Sequence, residues 1–290
     1  MENFFSQQHS NGREETMILI AASRKDMAGL NIAKQILNYY PFNLTGETFQ
    51  DHPLHSADFK GKKVTLAILN QEAVTSQHLP NYFTNLSLIA FISRHSSTSG
   101  TPTLSVHTPG NFAAAELGGL PKTVSVAPAN AMRDALKALQ YFKESAKLEY
   151  EVSYECTHHG PSLNVPTMFV ELGSSVTQWN DSKAAEAVAH ATMSAISKLG
   201  ASEKKAVLGI GGIHYNQRFT RMALQDKAVF GHMIPKYVVP RIDTETIYQC
   251  IKKTVEKVEY AILDWKGIKS TDKPNLLKML KEVELPYEKI

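Results

Sequence analysis

The sequence has few cysteines, no long hydrophobic run and little net charge. Only two of its 290 residues are cysteine, too few for a disulfide-stabilised scaffold, and this favours a reducing compartment. No apolar segment reaches the ~18–20 residues that a membrane-spanning helix needs. The formal net charge is +3, whereas proteins that bind nucleic acid through overall charge are usually more basic. Any contact with RNA must therefore depend on a local patch.

The N-terminal 16 residues, MENFFSQQHSNGREET, are polar and have no apolar core of the kind found in signal peptides. We therefore expect residues 1–16 to form a disordered extension and the protein to be cytoplasmic. The composition of the whole chain, 43% hydrophobic and 20% charged, is that of a globular protein. We expect residues 17–290 to form the folded region, with a possible domain boundary near residue 150.

Short apolar runs alternate with amphipathic segments in this region. Buried strands are predicted at 17–23, 64–70, 86–93, 150–156, 167–172 and 205–212. Helices are predicted at 26–40, 130–147, 181–200, 244–260 and 273–285. Nearly continuous apolar strands are typical of sheets covered on both faces. The pattern predicts an α/β fold in which a mostly parallel or mixed sheet is flanked by helices.

Three segments that follow predicted strands carry histidines. They are 91–111, with Arg94, His95 and His107; 157–162, with His158 and His159; and 209–220, with His214. In open parallel α/β sheets, ligands bind beyond the carboxyl ends of the strands. We therefore expect the three segments to converge on one site.

The adjacent His158 and His159 have two interpretations. They either stabilise a turn through hydrogen bonds to backbone carbonyls, or serve as a general base or metal ligands, because neutral imidazole suits both roles. The turn before Gly160 is expected to point at least one of the rings into the site, and this glycine lets the backbone approach a substrate. The spacing matches neither HExxH nor a zinc finger, so it does not by itself indicate a metal.

The glycines of GIGGIHY lack both the lysine of a P-loop and the full dinucleotide-binding fingerprint. Gly211 and Gly212 either form a tight turn between strand and helix, or expose N–H groups that hold a phosphate or an oxyanion beside His214. Both interpretations stay open at this point.

Charged residues elsewhere also have two interpretations each. Arg94 and His95 lie in a loop that is either solvated or a clamp for phosphate or ribose. Glu171, at a predicted strand end, either orients a histidine and assists proton transfer or forms a structural salt bridge. Cys156 is expected in a buried strand position, which disfavours a nucleophilic role.

Taken together, these motifs resemble the archaeal and plant type of D-aminoacyl-tRNA deacylase. The segments SRHSSTSGTPTLSVHTPGN, THHGPS, FVELGSS followed by Trp179, and GIGGIHYNQRFT occur in the family's order. The resemblance covers roughly residues 17–286. It implies hydrolysis of the ester between a D-amino acid and the 3′ end of tRNA, a fold related to phosphorylases and peptidyl-tRNA hydrolases, and zinc as a cofactor.

Under this resemblance, the candidate catalytic residues are His158, His159, His214 and Glu171, and the three histidines are also candidate zinc ligands. The candidate substrate-binding residues are Arg94, His95, Gly160, Gly211, Gly212 and Arg218, with Arg221 as a further phosphate contact. The expected partner is tRNA charged with D-amino acids, and neither a membrane nor DNA is expected as one. Two alternatives stay open: a nucleoside or phosphate-utilising transferase on a related fold, and a non-catalytic tRNA-binding module.

Overall fold

The computed structural model of the chain describes residues 16–202 and 204–290. The disordered extension predicted for residues 1–16 therefore lies, except for Thr16, outside the described residues. The strands β1–β14 are, in order, Met17–Ser23, Asn43–Phe49, His52–Asp58, Lys63–Leu69, Leu86–Arg94, Thr103–His107, Gly110–Asn111, Thr123–Val124, Glu151–Tyr154, Thr167–Gly173, Ala206–Gly211, Phe230–Ile234, Val258–Asp264 and Tyr287–Lys289. The helices α1–α7 are Met27–Tyr39, Ala129–Ser145, Val176–Trp179, Ser182–Lys198, Gln217–Leu224, Thr244–Lys252 and Lys273–Glu282.

Most of these strands form two sheets. The larger has eight strands in the order β2-β3-β4-β1-β5-β10-β6-β9. Its central strands β4, β1, β5 and β10 are parallel, whereas β6 runs antiparallel to β10. The smaller sheet, β12-β11-β13-β14, is parallel throughout. The predicted α/β fold with a mixed sheet flanked by helices is thus confirmed.

Helices α1, α2 and α4 cover one face of the larger sheet. Ile32 of α1, Leu136 of α2 and Val188 of α4 are fully buried in one cluster with Ile20 and Val170 from the strands. Burying each such side chain stabilises the fold by about 1.5–3 kcal/mol. The helices also begin at well-formed caps, since Asp26 accepts from the backbone N–H of Gly29 and the predicted cap Asp181 accepts at the start of α4. The opposite face of this sheet carries a separate cluster of buried side chains that includes Phe91 and Phe169.

The helix predicted at 244–260 is wrong in its second half. Helix α6 ends at Lys252, and Val258–Asp264 is strand β13. Helical spacing continues in the sequence as far as Val255, but the chain leaves the helix after Lys252, and Val255 is exposed. Pairing of β13 between β11 and β14 buries Ala261, Ile262 and Leu263 instead. Tertiary pairing therefore overrides local helix propensity.

Strand β9, which follows residue 150, pairs in parallel with β6. The larger sheet thus continues past the position of the possible domain boundary. Within the part of the chain that the structure describes, no helix combines the length and the apolar character that a bilayer crossing requires.

Candidate active site

A cavity of about 590 Å³ lies on the sheet face that the helices leave open. Neighbouring residues on a strand point to opposite faces. In β10, Val170 and Leu172 therefore join the core under the helices, while Phe169 and Glu171 line the cavity. Ser93 of β5 pairs with Glu171 in register and lines the same cavity. Adjacent strands thus build the floor of the site.

His107 reaches this region from the last position of β6. It pairs with Phe169 in register, and the two rings stack with centroids 5.1 Å apart. Because β6 is antiparallel to β10, His107 does not lie at the carboxyl ends of the parallel strands, where the sequence pattern placed all three histidine segments. The site therefore occupies a face of the sheet as well as its edge.

The turn that holds His158 and His159 brings both rings to the cavity. His159 has a φ of +43°, a left-handed conformation that side-chain-bearing residues seldom adopt. This turn breaks the alternation of a strand and leaves the ring centroids 4.2 Å apart. The centroid of His107 lies 4.3 Å from that of His158 and 4.9 Å from that of His159. The structure therefore places three imidazoles in one cluster.

The hydrogen bonds of these rings define which nitrogen faces the cluster. The Nδ1 atoms of His158 and His159 lie 2.8 and 2.7 Å from the carbonyl oxygens of Cys156 and Gly160. The Nδ1 of His107 lies 3.3 Å from the carbonyl of Thr108. A carbonyl only accepts, so each Nδ1 carries a proton that it donates. In the neutral rings, Nε2 is then the atom that can accept a proton or bind a metal.

The environment keeps the histidine pair neutral. Burial of the ring lowers the pKa of His158 well below its usual range, and the neighbouring His159 and His107 lower it further. Burial likewise lowers the pKa of His159 to about 4. Both rings are therefore uncharged at neutral pH, which is the form in which imidazole acts as a base or ligand.

Glu155 is a central residue that the sequence analysis missed. Its carboxylate is buried. Oε2 lies 2.9 Å from Nε2 of His214, and Oε1 lies 3.3 Å from Nδ1 of His95. Burial alone would raise the pKa of Glu155, but the hydrogen bonds from His214 and His95 outweigh it and hold the pKa well below its usual range. The signal available in the sequence was an acidic residue next to an apolar strand, two positions before the THH motif.

His214 is held at both ring nitrogens. Its Nε2 donates to Glu155, so its Nδ1 is an acceptor, and the hydroxyl of Tyr237 lies 3.1 Å from that atom. No free lone pair is left on the ring in this arrangement. His214 lines the cavity, but its contacts are those of an oriented wall residue rather than of a base.

Glu171 and His95 complete the polar lining. Glu171 accepts from the hydroxyl of Ser93 at 2.6 Å, and its other oxygen lies 3.7 Å from Nε2 of His107 and 3.8 Å from Nδ1 of His95. Burial lowers the pKa of His95, but the hydrogen bond to Glu155 and the charges of Glu155 and Glu171 outweigh it, so the pKa is raised. Nε2 of His95 lies 3.1 Å from the hydroxyl of Tyr215.

The predicted glycines lie outside the cavity lining. The N–H of Gly160 already donates to the carbonyl of Leu117 at 2.9 Å, and a Cβ there would meet the backbone N of Gly119 at 2.2 Å. Gly211 ends β11 and Gly212 begins the turn that follows it, and both are buried; Asn216 donates to the carbonyl of Gly211 at 3.0 Å. These contacts account for all three glycines through close packing and turn geometry.

Of the predicted arginines, only Arg94 lines the cavity. Its guanidinium donates to the carbonyl of Lys25 at 2.9 Å and to Glu72 at 3.2 Å. Arg218 donates to Asp264 at 2.9 Å, and Arg221 is exposed on α5.

Cys156 is buried, and burial raises the pKa of its thiol, which disfavours the thiolate that a nucleophile requires.

Three groups of residues could hold a metal ion among the described residues, each with ligand atoms within 4.8 Å of one another. They are His107 with His158 and His159; Glu155 with His158 and His214; and His95 with Glu155 and Glu171. In the second group, Nε2 of His214 already donates a hydrogen bond to Glu155. In the third group, Nδ1 of His95 lies 3.3 Å from Glu155 and its Nε2 lies 3.1 Å from the hydroxyl of Tyr215. In the all-histidine group each Nδ1 donates to a backbone carbonyl, and the Nε2 atoms have no hydrogen bond to another described residue, although those of His107 and His158 each lie 3.7 Å from a glutamate oxygen.

Comparison with known proteins finds relatives along most of the chain. A family model described as D-aminoacyl-tRNA deacylase matches residues 82–288. A D-aminoacyl-tRNA deacylase of Thermococcus kodakarensis is 32% identical over 277 residues, covering 93% of this chain and 99% of the relative. That of Methanocaldococcus jannaschii is 31% identical, covering 94% and 99%. A crystal structure described as a conserved protein of unknown function has a TM-score of 0.83 and 29% identity, covering 94% of this chain and 95% of the other.

Proposed function

The chain belongs to the D-aminoacyl-tRNA deacylase family, and we propose that its histidine-lined cavity is where it hydrolyses the ester bond between a D-amino acid and tRNA. The observation that carries the assignment of the site is the cluster of His107, His158 and His159 beside Glu171. An aminoacyl ester is already activated, so a positioned water and an acceptor for its proton suffice for hydrolysis.

We further propose that His107, His158 and His159 bind zinc. Three histidines with an open fourth position are a common ligand set of catalytic zinc. The Nδ1 contacts to backbone carbonyls are those that usually orient zinc-binding histidines. Among the described residues, Nε2 of His107 is one of seven buried side-chain polar atoms without a hydrogen-bond partner, and a metal ion bound by it would satisfy that atom. Oε1 of Glu155 is another, so this observation alone does not separate the all-histidine group from the two groups that contain Glu155. When bound, zinc would polarise the ester carbonyl and lower the pKa of a bound water.

Glu171 is the proposed proton acceptor. Its carboxylate lines the cavity, and the hydroxyl of Ser93 holds one of its oxygens in place. As water attacks the ester carbon, Glu171 takes the proton of the water, and after the C–O bond breaks it returns that proton to the 3′-oxygen of the tRNA. Glu155 and His95 contribute by fixing the lining around the reacting groups.

Selectivity for the D-hand and the identity of the phosphate contacts are further proposals. We attribute selectivity to a clash between the cavity wall and the side chain of an L-amino acid. The phosphate contacts predicted for Arg94, Arg218 and Arg221 stay predictions. A cytoplasmic location is also proposed; the two buried, free cysteines are consistent with a reducing compartment.

The test is the hydrolysis of matched D-tyrosyl-tRNA and L-tyrosyl-tRNA, with and without a chelator. We expect the D-amino acid to be released much faster than the L-amino acid, loss of this activity with chelator, and recovery when zinc is restored. Equal rates on the two hands would contradict the proposed selectivity. Phosphate-dependent turnover would favour a transferase, and tRNA binding without ester loss would favour a binding module.

A further inference from the structure

A second cavity, of about 230 Å³, borders the same two histidines. His158, His159 and Leu117 line both this cavity and the larger one. An ester joins two groups, so a substrate whose ester carbon reaches these histidines must place its acyl group and its alcohol in different directions. Two cavities that meet at one histidine pair provide those two directions.

Charge distinguishes the two cavities. The larger cavity is lined by the four acidic residues Asp26, Glu72, Glu155 and Glu171. Its one arginine, Arg94, pairs with Glu72, so three other carboxylates remain, and these are partly balanced by His95, which lies beside Glu155 and Glu171. Like charges at short range repel strongly where water is partly excluded, so these carboxylates disfavour a phosphate, and this argues against the phosphate contact predicted for Arg94. They favour the α-ammonium group of an aminoacyl ester, and Phe169 and Leu117 provide apolar surface for its side chain.

The second cavity has the opposite character. It contains one acidic residue, Glu116, and one exposed arginine, Arg241. Phe112 and Val238 form apolar wall, and Tyr237 is 52% exposed. Unpaired nucleobases are commonly bound by stacking on aromatic side chains, and arginine is well suited to phosphate. The surface therefore has the chemistry of a nucleotide subsite.

Tyr237 is also held in place. Its hydroxyl lies 3.1 Å from Nδ1 of His214, and His214 in turn donates to the buried Glu155. The ring is therefore fixed at its polar end while much of its surface remains accessible. A platform that is already ordered loses little conformational entropy when a base stacks on it.

We propose that the second cavity binds the 3′-terminal nucleotide of the tRNA, with Tyr237 stacking on its base and Arg241 contacting its phosphate, while the larger cavity binds the aminoacyl group. This inference rests on the proposed function, because it assigns the two halves of the ester to the two cavities.

The test compares kcat and KM for D-tyrosyl-tRNA in Arg241→Ala, Tyr237→Ala, Tyr237→Phe and Lys257→Ala. Losing a charged phosphate contact or a stacked base raises KM about tenfold, so we expect this for the two alanine variants of the cavity. Tyr237→Phe keeps the ring and loses only the contact of its hydroxyl with His214, so its KM is expected to rise clearly less than that of Tyr237→Ala. Lys257→Ala is the control. Lys257 precedes β13 and lies at the other end of the smaller sheet from Asp264, so this variant loses the same charge as Arg241→Ala but away from the site.

If the KM values of Arg241→Ala and Tyr237→Ala equal that of Lys257→Ala, the subsite is overturned. It is also overturned if KM rises for D-tyrosyl-tRNA but not for D-alanyl-tRNA, because the second cavity would then hold the amino acid side chain.

Direct binding separates this inference from the proposed function. Adenosine 5′-monophosphate, titrated by calorimetry, is expected to bind the unaltered protein and to bind Arg241→Ala about tenfold more weakly. If the protein binds this nucleotide with that dependence but hydrolyses neither aminoacyl-tRNA, the proposed function fails and the subsite stands. If it hydrolyses D-tyrosyl-tRNA and the nucleotide binds both forms equally, the subsite fails alone.

Discussion

The turns THHGPS and GIGGIHY each place histidine close to glycine at the end of a buried strand, yet their histidines have different surroundings. His158 and His159 donate from Nδ1 to backbone carbonyls and leave Nε2 available in the cavity. His214 is engaged by Glu155 at one nitrogen and by Tyr237 at the other. The partners of the ring nitrogens, rather than the motif, therefore determine which histidine can take part in chemistry.

The glycines of the two turns can also be compared, by their packing and their backbone conformation. Gly160 is required because loop residues 118–119 pack against its Cα, with the N of Gly119 only 2.2 Å from where a Cβ would be. Gly212 has a φ of +72° and lies against the side chain of Asn216. Both glycines are thus required by close packing, since a Cβ on Gly212 would lie 2.2 Å from Nδ2 of Asn216, and Gly212 in addition has a left-handed conformation that Gly160 does not.

The largest effect is expected from replacing the histidines of the first turn. The amide nitrogen of asparagine can take the place of Nδ1, whereas the basic Nε2 is lost. His158→Asn and His159→Asn should therefore stay folded, and at least one should lose about 10²–10⁴-fold in turnover of D-tyrosyl-tRNA. Thermal melting is the control for folding. If both variants melt normally and remain fully active, the pair is structural, and His214 with His95 becomes the better candidate.

A smaller effect, on stability, is expected from Gly160→Ala. The new methyl group meets backbone atoms that cannot move aside, so the free energy of unfolding should fall by about 2–3 kcal/mol. Urea denaturation measures this. Gly61→Ala is the matched control, because Gly61 has a φ of +72° but nothing within 4 Å of the added Cβ, and its cost is backbone strain of about 1 kcal/mol. An equal loss in the two variants would mean that the contacts of Gly160 are unimportant.

The smallest effect is expected from His214→Gln. The amide nitrogen of glutamine can replace Nε2 as the donor to Glu155, so the buried carboxylate keeps its partner. Turnover of D-tyrosyl-tRNA should fall by less than about tenfold, equivalent to about 1.4 kcal/mol. A loss as large as that of the His158 or His159 variants would show that His214 has a chemical role, and the distinction between the two turns would be lost.

Much of the fold could be predicted from local pattern. The strands 17–23, 86–93 and 167–172 are short apolar runs, and each agrees with the structure to within a residue. The short strands β6 and β12 could not be predicted in this way, because Thr103–His107 mixes polar and apolar residues and depends on pairing with β10 and β9. The helix predicted at 244–260 failed for the related reason that β13 is stabilised by distant strands.

The site was predicted in part. His158, His159, His95, His214 and Glu171 do line one cavity, as expected for segments that follow neighbouring strands. Glu155 and Tyr237 were missed because a single acidic residue in a strand, or a tyrosine in a loop, carries no signal until its partners are known. The place of His107 in the cluster was likewise hidden, since it depends on the direction of β6.

Zinc binding by His107, His158 and His159 is tested most directly by measuring the zinc content of the purified protein and of two variants. We expect about one zinc per chain in the unaltered protein and in His214→Gln, and almost none in His107→Asn. Melting curves should show that all three proteins are folded. The metal is then bound by His107 with the histidine pair. If zinc is retained in His107→Asn and lost in His214→Gln, the all-histidine site is wrong, and the metal is bound by Glu155, His158 and His214 instead.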